Sequence, residues 1–177
     1  MTVATPTLSD RVTDLRRAFD QAFSAPPRGA PNETVDLLAI RVAGDPYGFD
    51  VRGLVSLAPC GKVVPLPTRR IGLLGIAGIR GTLVPVYGLG VLLGYEPSRS
   101  PPRWLGLAGS PDPIALAFDE LEGFLRVNRS DVCVDTSRRY VSAAVRTEDV
   151  TRMVVDTYGL IATLKASAGT SSTTKEQ

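Results

Sequence analysis

The chain predicts an all-β fold with two similar halves, and three observations carry that expectation. Short strand-like runs follow one another at close spacing, separated by turn residues, which favours a barrel or sandwich over an α/β sheet. Both halves read as strand, proline-bearing turn and strand ending in aspartate: Leu38 to Asp50, then Trp104 to Asp119. Between them an Arg80-Gly81 corner opens into an apolar strand, Thr82 to Tyr87, that contains Pro85. Proline cannot donate to a ladder, so that strand is expected at a sheet edge or a bulge. A cation held beside an apolar edge strand is a surface built to be touched.

The elements follow in order. Leu8, Val12, Leu15, Phe19 and Phe23 share one face of a predicted N-terminal helix. Thr7 and Asp10 resemble a capping box, and Pro26-Pro27 ends the helix. A linker from Ala25 to Asn32, rich in Pro, Gly and Asn, follows, so the helix reads either as packed on its own domain or as a tethered docking segment. Leu38, Ile40 and Val42 alternate with Leu37, Ala39 and Arg41 as a half-buried strand does. Gly44-Asp-Pro46 turns the chain, Tyr47 to Val51 returns, and Leu54 to Ala58 and Lys62 to Leu66 are further short strands. Gly94 to Arg103 is a Pro/Ser-rich loop. Trp104 to Leu107, Ile114 to Asp119 and Gly123 to Val127 supply the strands of the second half. The expected organisation is a helix and linker over 1–33, a folded domain over 34–165 and a disordered Ser/Thr-rich tail over 166–177.

Composition narrows the function. The 177 residues are 44% apolar, enough for a real core, and the net charge of +2 lacks the concentrated basic surplus of a phosphate-tracking protein. No apolar run is long enough to span a membrane, and the N-terminus lacks a signal-peptide core, so a cytoplasmic protein is expected. The absence of histidine removes the commonest general base and metal ligand. The two cysteines, Cys60 and Cys133, form no Cys-x-x-Cys pair, which argues against zinc. Cys133, between two valines, reads as a buried free thiol, and Cys60 as a turn residue. No enzyme and no cofactor are expected.

Several motifs have plain readings. Gly88-x-Gly90-x-x-x-Gly94 follows a strand, but Pro97 and Pro101 leave no room for the long helix of a dinucleotide-binding turn. Gly72, Gly75, Gly78 and Gly81, at every third residue, are expected to let strand backbones approach closely at a bend. Asp119, Glu120 and Glu122 read as a solvated strand end rather than a catalytic pair. The pair Arg138-Arg139 reads as a solvated loop, or a weak contact for an acidic partner.

The segment Gly75-Ile-Ala-Gly78-Ile-Arg80-Gly81-Thr-Leu-Val-Pro85-Val86 resembles the central motif of the CheW-like adaptors of bacterial chemosensory systems. Leu37 to Val51, Ile114 to Arg126 and Arg152 to Leu160 are similar to other parts of that family, in the same order. The resemblance implies two five-stranded SH3-like barrels that exchange strands and pack over a shared apolar seam, with a short C-terminal helix. It implies a non-catalytic adaptor coupling the signalling tip of methyl-accepting chemoreceptors to the regulatory domain of a CheA-type histidine kinase. Other CheW-like proteins are further candidate partners; nucleic acid and membrane insertion are not expected. The candidate partner-binding residues are Gly75, Ile79, Arg80, Gly81, Pro85 and Leu54, with Arg80 able to fork onto a carboxylate while its stem lies on apolar surface. This chain departs from the family at Ser56, where glutamate is usual, at Gly78, where asparagine is usual, and at Gly88, where aspartate is usual. An adaptor that binds a kinase or another adaptor but no receptor is therefore an alternative. A small-barrel nucleic-acid binder is a third reading.

Overall fold

The computed structural model describes residues 34–147 and 150–169. The expected N-terminal helix and linker, and the last residues of the expected tail, lie outside them. The described strands are β1 (Thr34–Val42), β2 (Asp45–Asp50), β3 (Leu54–Pro59), β4 (Val63–Val64), β5 (Leu73–Ile79) and β6 (Thr82–Gly88), then β7 (Trp104–Ala108), β8 (Ile114–Phe118), β9 (Glu120–Asn128), β10 (Val132–Val134), β11 (Val141–Arg146) and β12 (Thr151–Val155). Helix α1 (Leu89–Leu92) follows β6, and α2 (Thr157–Gly169) follows β12.

These strands form two sheets of six, in the orders β10-β11-β12-β2-β1-β9 and β3-β7-β8-β6-β5-β4. The second sheet is one continuous stretch of chain. The first is assembled from segments on either side of it, joined where β12 runs parallel to β2. The strand exchange implied by the resemblance thus takes the form of an insertion. Each sheet has five longer strands and one very short edge strand, β4 or β10.

Three apolar clusters explain how the sheets fold. Leu37, Val127, Ala143, Val145 and Val154 come only from the first sheet. Ala77, Val84, Val86, Leu105, Leu107, Ala115 and Ala117 come only from the second. A sheet buries a private cluster on one face only by curling around it. Arg152 and Glu122 report the same curl: β12 and β9 are three strand steps apart, about 14 Å in a flat sheet, yet Arg152 Nη1 lies 2.6 Å from Glu122 Oε2. The third and largest cluster is the seam. It joins Leu38, Ile40, Tyr47 and Phe49 of the first sheet to Tyr87, Ile114, Leu116 and Phe118 of the second, with Leu89 of α1 and Leu160, Ile161 and Leu164 of α2. The alternation along β1 does the sorting: Leu37 faces the private cluster, while Leu38, Ile40 and Val42 face the seam.

Helix α2 is started by Asp156, whose Oδ1 accepts from the Gly159 N–H at 2.9 Å, a cap contributing about 1 kcal/mol. Its buried residues Leu160, Ile161 and Leu164 hold it on the seam, at roughly 1.5–3 kcal/mol for each large apolar side chain.

Four expectations need correction. Strand β6 is interior, between β8 and β5, rather than an edge. Its ladder with β8 begins only at Val86, one residue after Pro85, so β8 leaves the proline-bearing half of β6 uncovered. Helix α2 continues to Gly169, so residues 166–169 are helix rather than disordered tail. Cys133 is exposed, because short β10 lies at a sheet edge and turns that side chain out. Two of the carboxylates around residue 120, Asp119 and Glu122, hold structure, while Glu120 is exposed as expected. Asp119 Oδ2 accepts from the Ala43 N–H at 2.7 Å, pinning the β1–β2 turn. Glu122 is the extra residue of a bulge opposite Ala39 and Ile40.

Candidate functional site

The β5–β6 hairpin places most of the predicted residues. Its ladder ends at the pair Ile79 and Thr82, so Arg80 and Gly81 form a two-residue turn. Their φ angles are +49° and +81°. Positive φ at both central residues is what a type I′ turn requires, and it matches the twist of the strands. Glycine adopts it freely; arginine does not, at a cost of about 1–2 kcal/mol. Arg80 is nevertheless exposed, and among the described residues no side-chain hydrogen bond or ion pair offsets the strain.

Alternation divides the hairpin into two faces. Ala77 and Val84, paired across the ladder, point into the private cluster of their sheet, and half-buried Ile79 packs against the same cluster. The pairs Gly78–Leu83 and Ile76–Pro85 therefore point outward, and Val64 of β4 continues the row beside Ile76. Leu83 is 73% exposed and Val64 47%. The result is a strip of apolar surface running up to the Arg80 guanidinium.

Gly75 stands at the base of the hairpin and is buried, with φ +151°. A Cβ there would lie 2.7 Å from the Val64 carbonyl carbon and 2.9 Å from Pro65 Cα, inside van der Waals contact. Gly75 thus shapes the surface by letting β4 close over β5. Of the four regularly spaced glycines, Gly72 makes a similar close approach, to Leu92, Gly81 serves the turn, and Gly78 faces open space.

Leu54 lies elsewhere. It pairs with Ala108, which pairs with Ile114, and the next residue of β8 is level with Val86. Leu54 is thus level with Pro85 but three strands away around the curled sheet. The hairpin tip projects past the same end of the sheet. Leu54 is half-buried against the seam and lines a groove of about 190 Å³ with Leu38, Val51, Val55, Ser56, Leu57 and Phe124. A bulge between Leu54 and Ser56 turns Val55 out to 61% exposure. Phe124, on the edge strand β9, is 74% exposed. The groove therefore runs between the edge strands of the two sheets, with Ser56 as its polar residue.

The sequence reading missed Leu83, Val55 and Phe124. Phe124 had a signal: a phenylalanine among charged residues in an alternating strand faces the polar side. Val55 had none, since a bulge sets its direction. The reading also missed the polar set at the mouth of the first barrel. Arg41 Nε donates to Glu122 Oε1 at 2.7 Å, and Arg152, 9% exposed, pairs with the other oxygen. Burial raises the Glu122 pKa, but the two guanidiniums outweigh it and hold the carboxyl below its ordinary value. Arg152 Nε has no acceptor among the described residues. This set closes the barrel and lies apart from the hairpin.

Nothing in these surfaces is arranged for covalent chemistry. Among the described residues no group of three or more Cys, Asp or Glu stands close enough to hold a metal ion. No described helix is long and apolar enough to cross a membrane. Burial raises the pKa of the Cys60 thiol, the reverse of what activates a nucleophile.

Residues 36–165 match the CheW-like domain family. Among solved structures the chain is similar to the crystal structure of scaffolding protein TtCheW from Thermoanaerobacter tengcongensis, at 16% identity over 68% of this chain and 88% of that one, with a TM-score of 0.61. At that identity the likeness concerns the fold. No curated protein sequence matches the chain. The family match spans most of the chain, with the hairpin, the groove and the seam inside it: this protein belongs to the CheW-like domain family of chemotaxis scaffolds and adaptors.

Proposed function

We propose that this protein is a non-catalytic adaptor that couples a chemoreceptor to a CheA-type histidine kinase in the cytoplasm. The observation that carries the reading is the pair of separate exposed apolar surfaces. One is the hairpin strip with Arg80 at its tip; the other is the groove between β3 and β9. A coupling protein needs two places to be held at once, and exposed apolar area bordered by polar residues is how such places are built. The groove suits an apolar helix face lying between Val55 and Phe124. The hairpin offers strand edges and a guanidinium to a domain of like fold, such as the kinase regulatory domain. The mechanism is assembly: the adaptor fixes the distance and orientation of its partners, and the output is the kinase's altered autophosphorylation.

A second reading has its own observation. The groove presents Ser56 where the family usually has glutamate, and its lining holds no carboxylate. A receptor that reads that charge would be lost, leaving an adaptor for a kinase or another CheW-like protein. Pull-down of the full chain with the receptor tips and kinase regulatory domains of the same cell decides between them. Capture of both supports coupling, capture of the kinase alone supports the second reading, and capture of neither contradicts both.

A further inference from the structure

We propose that Gly78 opens a notch on the outer face of the β5–β6 hairpin, in which a carboxylate side chain of a partner protein lies between Lys62 and Arg80, flanked by apolar residues of the same partner segment. The inference rests on the reading of the hairpin as a partner surface and names the chemistry which that surface selects.

Register and alternation build the notch. Val63 pairs with Ala77 and packs on the private cluster of the second sheet, so Lys62 and Val64 on either side of it face outward. Lys62 is then the neighbour of Gly78 on the β4 side, and Leu83 is its partner on β6. A Cβ at Gly78 would meet nothing within 4 Å, so the space between Lys62 and Leu83 is open. Arg80 stands two residues farther along, about 7 Å, at the turn. Both cations have long stems that reach over Gly78.

The charges select the occupant. Lys62 and Arg80 are exposed, and among the described residues neither side chain has a partner. From Val51 to Tyr95, a stretch that includes β3 to β6 and α1, the chain has no Asp or Glu. Asp112, in the β7–β8 turn on the other side of β6, pairs with neither cation. A carboxylate in the notch therefore meets two cations and no competing acid on the hairpin, while exposed Leu83 and Val64 cover the apolar residues next to it. Nucleic acid would need aromatic faces for stacking or a longer run of cations, and the one aromatic residue of β4 to β6, Tyr87, is buried. An anionic membrane is recognised by clusters of roughly four to eight cations, and the notch offers Lys62 and Arg80.

The probe is the peptide Thr-Leu-Glu-Val-Thr, blocked at both ends so that its one charge is the glutamate, titrated into the full chain and followed by amide shifts. The control peptide has glutamine in place of glutamate. The expected result is saturable shifts centred on Lys62, Gly78 and Leu83, with the control about tenfold weaker or more. Lys62→Gln should weaken the acidic peptide about threefold or more, and Gly78→Asn, which fills the notch without changing charge, should abolish the saturable shifts. Both substitutions are at exposed positions, and an unchanged thermal midpoint checks that each variant is folded. The proposal is overturned by the absence of saturable shifts, by equal binding of both peptides, or by full affinity in either folded variant. It is also overturned if inorganic phosphate binds the same amides as tightly as the peptide, or if phosphatidylserine vesicles bind through Lys62 while the peptide does not. The kinase regulatory domain, titrated in parallel, separates this proposal from the coupling reading. A domain that binds the parent and both variants alike overturns the notch and leaves coupling standing; one that fails to bind while the peptide binds overturns coupling and leaves the notch standing.

Discussion

The two ends of the β5–β6 hairpin meet the same backbone problem and answer it differently. At the base, residue 75 has φ +151° with the β4 backbone pressed against it, and the chain places glycine there. At the tip, residue 80 has φ +49° in open solvent, and the chain places arginine. Glycine removes strain wherever the side chain is dispensable. At the base it is required by packing, so that residue answers to the fold. At the tip nothing in the packing forbids glycine, and the strained arginine remains. Exposed Ala43 keeps φ +52° at the β1–β2 turn with its N–H held by Asp119, whereas Arg80 has no such bond at its turn, and we propose that its strain is kept for the cation at the end of the apolar strip.

The largest expected effect lies at the base. Gly75→Ala adds a Cβ against the Val64 carbonyl and should destabilise by about 2–4 kcal/mol, combining backbone strain with overpacking. Chemical denaturation measures it. A loss under about 0.5 kcal/mol would mean that β4 can withdraw, and the contrast between the two ends would fail.

At the tip the effect should move from stability to binding. Arg80→Ala should keep stability within about ±0.5 kcal/mol, because alanine inherits the same positive φ. It should weaken partner binding by about 1–3 kcal/mol, and Arg80→Glu should weaken it further. Titration calorimetry with the receptor tip and the kinase regulatory domain reads both. Intact affinity for both partners in the folded variant would remove Arg80 from the site.

The missing polar groups sharpen the comparison. Gly78 faces open space and Ser56 lines the groove, so Ser56→Glu with Gly78→Asn should fold normally. The Ser56→Glu change should account for a gain of about 1 kcal/mol in receptor affinity, while Gly78→Asn, on the hairpin strip, should alter only kinase affinity. A gain for the kinase alone would assign the groove to the wrong partner. Gly88 belongs to the fold. It is the N-cap of α1 and offers no side-chain hydrogen bond, and a Cβ there would meet only Leu74 side-chain atoms, at 3.5 Å or more. Gly88→Asp should therefore stabilise by only a few tenths of a kcal/mol and leave both affinities alone, checked by thermal denaturation and the same titrations.

Much of this was legible in the sequence, for reasons tied to particular residues. The alternation of Leu38, Ile40 and Val42 marked the face of β1 that meets the seam, although β1 is buried on both faces from Leu37 to Ile40 rather than half-buried, and Arg80-Gly81 marked the hairpin tip. The position of β6 was not legible. Pro85 argued for an edge, and only the ladder shows that a strand can be interior with one half uncovered. Cys133 was misplaced because flanking valines say nothing about whether a strand ends a sheet. The groove could not be read at all, since it joins β3 and β9, far apart in the chain, through a bulge with no sequence signature.

The most direct test of the account is Arg80→Gly, with thermal midpoint and partner affinity measured on the same preparation. Glycine relieves the left-handed strain but loosens the unfolded chain, so the net gain in stability should be about 0.5–1 kcal/mol. The account predicts a higher midpoint together with weaker binding of the receptor tip or the kinase regulatory domain. A variant that is no more stable, or that binds both partners as tightly as the parent, would contradict it.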